Sequence, residues 1–506
     1  MITRHPIPGL IVFLLTLGMT AGSATAGDFM DTRLTFALSE NNFFAGPGET
    51  PENSPGFGFG ADKSNTLFFD NYETRFSGFE TLSHLALYKK LPSFFDNLTT
   101  EASLVVRFRV ENEEFTDVYD AGSYIRLVYD LSDPVTEGAN LELVLFPISG
   151  DRFRLGYSYK ISWGGSGVFP LNSGMVPAAK LQFNLPWGYA FVGMKTTQIE
   201  EFIGDTNQTE MVTNYGALAG LGADVAGFRA EINGGYFTRG VLPHPGVVGR
   251  NAYGSGLSYQ VGYHKGMDIG TSIDFALYKN DPDRETKFFK PEEYDGGLSF
   301  VAKHEGTFFW HTLMDPDRYG TTVNQFAMAF DVNFALKWGF LRVHLDAMLR
   351  SLSFLLHESP SFTPFQDFPD AADTNPEYFV ALGVDYHFES LHLTPGVKFG
   401  VQMPATYTIE DLSVGGVVFG GKRTVVVQSE AVRSVLPVDE EARLIWSIKA
   451  NCKWDISEML AVIAEVYFSW DDNQTRFASD FYGLNISSHF LDAKILGMNL
   501  AAQARF

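Results

Sequence analysis

Between Phe326 and Leu349 the chain alternates through two consecutive runs. Phe326, Met328, Phe330, Val332, Phe334, Leu336 and Trp338 fall on one parity, while Asp331, Asn333, Ala335 and Lys337 fall on the other. After Gly339 the pattern resumes, with Leu341, Val343, Leu345, Ala347 and Leu349 set against Arg342, His344, Asp346 and Arg350. Successive side chains of a strand point to opposite faces, so each run has one apolar and one polar face. Each run reaches the length of a bilayer-crossing strand, about 9–11 residues when tilted. Two such strands joined by a tight turn cannot cover their own apolar faces. They require either a second layer of protein or lipid.

The same pattern recurs along the chain. Val380, Leu382, Val384, Tyr386 and Phe388 turn at Glu389-Ser390 into Leu391, Leu393, Val397, Phe399 and Val401. Leu460, Val462, Ala464, Val466, Phe468 and Trp470 form another outward set. Earlier candidates are Phe153, Leu155, Tyr157 and Tyr159, then Leu181, Phe183 and Leu185, then Tyr253 to Tyr263. In the last run Leu496, Met498, Leu500, Ala502, Ala504 and Phe506 alternate with Gly497, Asn499, Ala501, Gln503 and Arg505. Connections fall into two lengths. Short ones are Pro186-Trp187-Gly188, Lys265-Gly266-Met267, Trp338-Gly339 and Glu389-Ser390, and long polar ones cover 203–210, 280–295, 355–375, 404–440 and 471–489. A soluble sandwich also alternates, but its connections do not sort by length in this way. Short turns at one end and long loops at the other are expected of a membrane barrel.

An alternating last strand that ends in Phe506 resembles the closing strand of Gram-negative bacterial outer-membrane β-barrel proteins, and the whole pattern is porin-like. No residue-level motif of a substrate-specific porin accompanies it. The resemblance implies an all-β fold: one large transmembrane antiparallel β-barrel of about 18–20 strands, closure favouring an even number. It implies an outer-membrane location and surroundings of lipid and lipopolysaccharide. It makes Phe506 an assembly signal for the barrel-assembly machinery, with periplasmic chaperones acting before it. No cofactor is implied.

The opposite end of the chain agrees with export. Arg4 and His5 precede an apolar run from Ile7 to Met19, and Ala24-Thr25-Ala26 follows. That order is expected of a signal peptide over 1–26, because the run is shorter than the ~20 apolar residues of a spanning helix. Residues 27–78 then form an N-terminal strand and a Gly/Phe/Asn-rich segment that serves as loop or plug, and 79–506 form the barrel. Within the N-terminal part, Leu34, Phe36 and Leu38 give a first strand an outward face. From 41 to 79 no alternation is sustained, yet Phe43, Phe44, Phe57, Phe59, Phe68 and Phe69 are unusual for a solvated loop.

A net charge of −23 excludes nucleic acid as a partner. The single cysteine, Cys452, shares parity with Trp446, Ile448, Ala450 and Trp454 and is expected to face lipid. Acids outnumber bases 60 to 37 in the chain, but on the polar parity of the clear strands the bases prevail, so the acids concentrate in loops. The basic candidates for the lumen are Arg107, Arg109, Arg126, Arg152, Arg154, Lys160, Arg342 and Arg350. The pairs Arg107/Arg109 and Arg152/Arg154 each share one face of one expected strand, which makes them the best basic patch. A wall of unpaired cations would favour anions. A wall of paired charges would only keep the lumen hydrated.

Enzyme chemistry is not expected. Ser83-His84 and Ser488-His489 are adjacent, which puts the side chains of a strand on opposite faces. His344/Asp346 and Asp385/His387 each share a face and read as hydrogen-bonded wall residues. Asp281, Asp283, Glu285 and Glu292 approach the spacing of a calcium loop, but Thr286 stands where that loop needs glycine. Three functions remain: a porin-like channel for passive diffusion of small hydrophilic solutes, anions preferred; a hydrophobic-ligand transporter with an N-terminal plug; and a structural or adhesive barrel. The first fits the pattern best.

Overall fold

A computed structural model describes residues 30–46, 56–59, 67–70, 83–111, 114–131, 138–156, 158, 160–171, 174–203, 208–267, 294, 296–357, 364–410, 412–414, 417–428, 431–479 and 486–505. The expected signal peptide, the calcium-like spacing over 281–292 and Phe506 lie outside the described residues. The same holds for the side chain of Arg109.

One sheet of 20 strands forms the wall. In chain order these are β1 Met30–Glu40, β2 Gly56–Phe59, β3 His84–Leu91, β4 Leu98–Glu111, β5 Glu114–Asp120, β6 Tyr124–Asp130 and β7 Asn140–Phe146. Next come β8 Ala178–Leu185, β9 Gly188–Ile203, β10 Gln208–Val225, β11 Phe228–Val241, β12 Asn251–Lys265, β13 Leu298–Met314 and β14 Thr322–Trp338. The remainder are β15 Leu341–Arg350, β16 Glu377–Tyr386, β17 Leu393–Met403, β18 Ile445–Asp455, β19 Leu460–Trp470 and β20 Lys494–Arg505. Neighbours pair antiparallel. The ladder closes where β20 meets β1, from Arg33 opposite Arg505 to Glu40 opposite Met498.

Two places in the wall are each shared by two strands. β2 pairs with the upper part of β1 and β3 with the lower part, and both also pair with β4. β5 and β6 likewise divide the next edge of β4, separated by Ala121-Gly122-Ser123. The 20 strands therefore fill 18 positions around the barrel, an even number as closure requires. β1 belongs to the wall itself, so the barrel's seam runs through the N-terminal segment.

The wall is inside-out relative to a soluble protein. Along β16, Tyr378, Val380, Leu382, Val384 and Tyr386 are exposed, whereas Glu377, Phe379, Ala381 and Asp385 are buried. Burying a large apolar side chain is worth roughly 1.5–3 kcal/mol, so an outer surface of this kind is stable only against lipid. Trp187, Phe228, Trp338 and Trp454 ring the short-turn end. Tyr253, Phe326 and Tyr378 mark the other rim. Phe326 and Trp338 stand at the two ends of the outward face of β14. At the usual strand rise and tilt that separation gives an apolar band of about 30 Å, the thickness of a hydrocarbon core.

The tight turns follow local chemistry. Ala226-Gly227 joins β10 to β11 with φ of 55° and 82°, the mirror-image turn that matches strand twist. A Cβ at Gly227 would sit 2.4 Å from the His264 carbonyl oxygen, so only glycine fits.

Two expected strand arrangements are corrected. β7 pairs directly with β8, so Phe153 and Leu155 stand on no wall strand, and Tyr157 and Tyr159 lie outside the described residues. The 147–177 connection between them folds into the barrel instead. β12 pairs directly with β13 from Gly254 opposite His311 to Lys265 opposite Phe300. Lys265-Gly266-Met267 is therefore not a hairpin. The expected long loop over 280–295 lies, apart from Tyr294, outside the described residues.

Candidate functional site

The site is the lumen at mid-height, where two inserted segments meet. The first is the 147–177 connection. Its Phe153, Leu155, Ile161, Trp163, Val168 and Phe169 are buried against the inner wall. The Trp163 ring stands edge-on to Phe237 at 5.8 Å and to Phe309 at 5.1 Å, and its Nε1–H donates to Ser258 Oγ at 2.7 Å. Wall glycines make the room: a Cβ at Gly193 would lie 2.4 Å from the Phe153 ring. Polar wall side chains then hold the backbone of the insert. Arg239 donates to the Val168 carbonyl at 2.7 Å, Arg350 to the Lys160 carbonyl at 3.1 Å and Lys195 to the Gly150 carbonyl, while Glu305 accepts from the Ser158 amide at 2.6 Å. A loop whose backbone groups are satisfied by buried partners is part of the rigid structure.

The second insert is the turn Leu67-Phe68-Phe69-Asp70, all four residues buried. The Asp70 amide donates to the Leu67 carbonyl at 2.8 Å, and the Leu67 amide donates back to Asp70 Oδ2 at 3.2 Å. Phe68 packs on Phe379 at 5.6 Å and Lys398 Nζ lies 5.0 Å over the Phe69 ring. The Asp70 carboxylate forms an ion pair with Lys449 on β18, both side chains fully buried. Lys160 of the first insert donates to the Phe68 carbonyl of the second. The two segments thus touch across the lumen.

The eight basic candidates divide sharply. Arg126 is held between Glu101 at 2.8 Å and Glu142 at 2.7 Å. Arg342 contacts both Asp385 oxygens, at 2.9 and 3.0 Å, and Arg350 pairs with Glu377. These are wall ion pairs. Arg152 and Arg154 are corrected outright: they lie in the inserted loop, not on one face of a strand. Arg154 is bound by Ser162 and by Asp151 at 3.3 Å, and Arg152 reaches across to the Ala121 carbonyl at 3.1 Å, covering the break between β5 and β6. Arg107 stacks on Tyr119 at 4.6 Å. Lys160 lies where the inserts meet, and a carbonyl, not a carboxylate, holds its ammonium. Burial and the nearby Arg350 push its pKa down to about 8, with Glu377 and Asp70 offsetting part of the shift.

Other sequence candidates fall elsewhere. Asp346 binds Lys398 at 2.9 Å, Asp385 binds Arg342 and His387 contacts Thr394, so both acids serve as partners of wall cations. Phe57 and Phe59 join the outer face of the wall, and Phe43 and Phe44 are about half exposed beside the start of β20. Only Phe68 and Phe69 of that set enter the lumen. Among the described residues no group of three His, Cys, Asp or Glu is placed to hold a metal. The residues missed by the sequence reading are Asp70, Glu101 and Glu377. Asp70 has no local signal, because its partner Lys449 is 379 positions away.

No family model and no curated protein matches this chain. Several solved structures resemble it loosely. The outer membrane protein opdK from Pseudomonas aeruginosa shares 9% identity over 94% of this chain and 98% of its own, with a TM-score of 0.39. OccK2 (OpdF) from the same organism, solved with glucuronate, shares 9% over 94% and 98%, with a TM-score of 0.42. The trimer form of OmpT, an outer membrane protein of Vibrio cholerae, shares 8% over 94% and 98%, with a TM-score of 0.37. The chemistry of the lumen rests on its own residues.

Proposed function

We propose that the chain is a porin-like channel of the Gram-negative outer membrane through which small hydrophilic solutes diffuse past a mid-height constriction. The observation that carries this reading is the closed inside-out wall, charged within and apolar without. Its outer band meets lipid, and its long-loop end meets lipopolysaccharide. The wall's acids neutralise most of the described wall cations, so the anion preference is modest and centres on Lys160, not on Arg152 and Arg154.

The test is a planar-bilayer recording of purified protein under a potassium chloride gradient. Steady conductance with a reversal potential favouring chloride is expected, and Lys160→Gln should reduce that preference. Inserted protein that passes no current would overturn the reading. It would favour the hydrophobic-ligand transporter, a second reading motivated by Phe68, Phe69 and Phe379 packed at the centre.

A further inference from the structure

We propose that Asp70 is a specificity-determining residue of the constriction, latching the N-terminal turn onto Lys449 and so setting both its width and its charge. This rests on the channel reading above. Lys449 points inward from the middle of β18 and is fully buried. A buried ammonium needs an acid close by. Among the described residues the wall offers Glu465, at 4.0 Å, and the closer carboxylate comes from the inserted turn. The wall is also cut back to receive that turn. A Cβ at Gly400 would lie 2.9 Å from the Phe69 ring and 3.0 Å from the Phe68 ring. Lys398 covers Phe69 and Phe379 backs Phe68. With the latch closed, Lys449 is neutralised and two phenyl rings occupy the space beside Lys160. With it open, the rings leave and the constriction gains one positive charge. Width and charge change together at one place.

The experiment compares full-length wild type with three variants in planar bilayers at pH 7, each shown to be inserted and heat-modifiable. Asp70→Asn should raise conductance and raise the chloride-to-potassium permeability ratio, by up to about fivefold for one unit charge a few ångströms from the ion path. Asp70→Asn with Lys449→Gln should raise conductance while leaving the ratio at the wild-type value. Phe68→Ala with Phe69→Ala keeps the ion pair, so it too should raise conductance and leave the ratio alone. A conducting wild type with Asp70→Asn indistinguishable from it in both readouts would overturn the latch and leave the channel reading standing. Should Asp70→Asn fail to accumulate, the double charge-neutral variant decides, and unchanged conductance there overturns the latch. Silence in every inserted protein, wild type included, would overturn the channel reading itself.

Discussion

Glu377 is fully buried at the start of β16, directly opposite Arg350, and Gln402 also donates to it. Removing one partner of a buried pair leaves the other charge uncompensated, at a cost of about 3–5 kcal/mol. Glu377→Gln should therefore lower folding stability by that order in a reversible assay in lipid, while Glu389→Gln, in an exposed turn, should change it little. The sequence showed that Arg350 and Arg342 face inward, because parity decides face. It could not show that each faces an acid, because that depends on register between strands. Lys160 offers a second residue-scale prediction. It lies in the inserted loop, outside the spanning strands, with its pKa near 8. A lysine carries its charge below its pKa and loses it above. The anion preference should hold at pH 6 to 7 and fade as pH rises through about 8. Lys160→Arg, charged throughout, should retain it at pH 9 in reversal-potential titrations.

At the scale of elements, long alternating runs were legible and short ones misled. The outward face of β14 and β15 follows from parity alone, and the structure puts Asp331, Arg342 and Arg350 inside while Val332 is outside. An arginine at outward Phe330 or Val343 should cost ~2–4 kcal/mol near the bilayer midplane. At Asn333, whose side chain bonds inward to Asp346, the same change should cost far less. Equal costs in a folding titration would reverse the face assignment. The run Phe153 to Tyr159 also alternates, but it is short of spanning length. Gly156 and Gly164, at φ of 103° and 81°, bend the chain on either side of Ile161 and Trp163. There the apolar parity faces an aromatic core inside the barrel, so alternation marks burial without saying in which layer.

At the scale of the molecule, the barrel, its even strand number and its two ends were readable because lipid forces all of them at once: every backbone group must be paired, and no edge can remain. The split wall position of β2 and β3 was not readable. It exists because the chain enters the lumen at Leu67–Asp70 between them, and what holds it there is a contact with β18 from the far end of the sequence. Closure also separates stability from assembly. The seam runs over eight register pairs, with Ala37, Ile463 and Ala501 packed without exposure along it. Proline at Ala501 would remove an N–H in the middle of that seam, where proline is not tolerated. Ala501→Pro should lower both the amount of inserted protein and the temperature at which it loses heat-resistant mobility on gels. Deleting Phe506 leaves all eight pairs intact. On the proposal that Phe506 is an assembly signal, the inserted amount should drop while the molecules that do insert keep the wild-type unfolding temperature. A parallel loss of thermal resistance in that deletion would mean that the last residue is part of the seam and not a signal for building it.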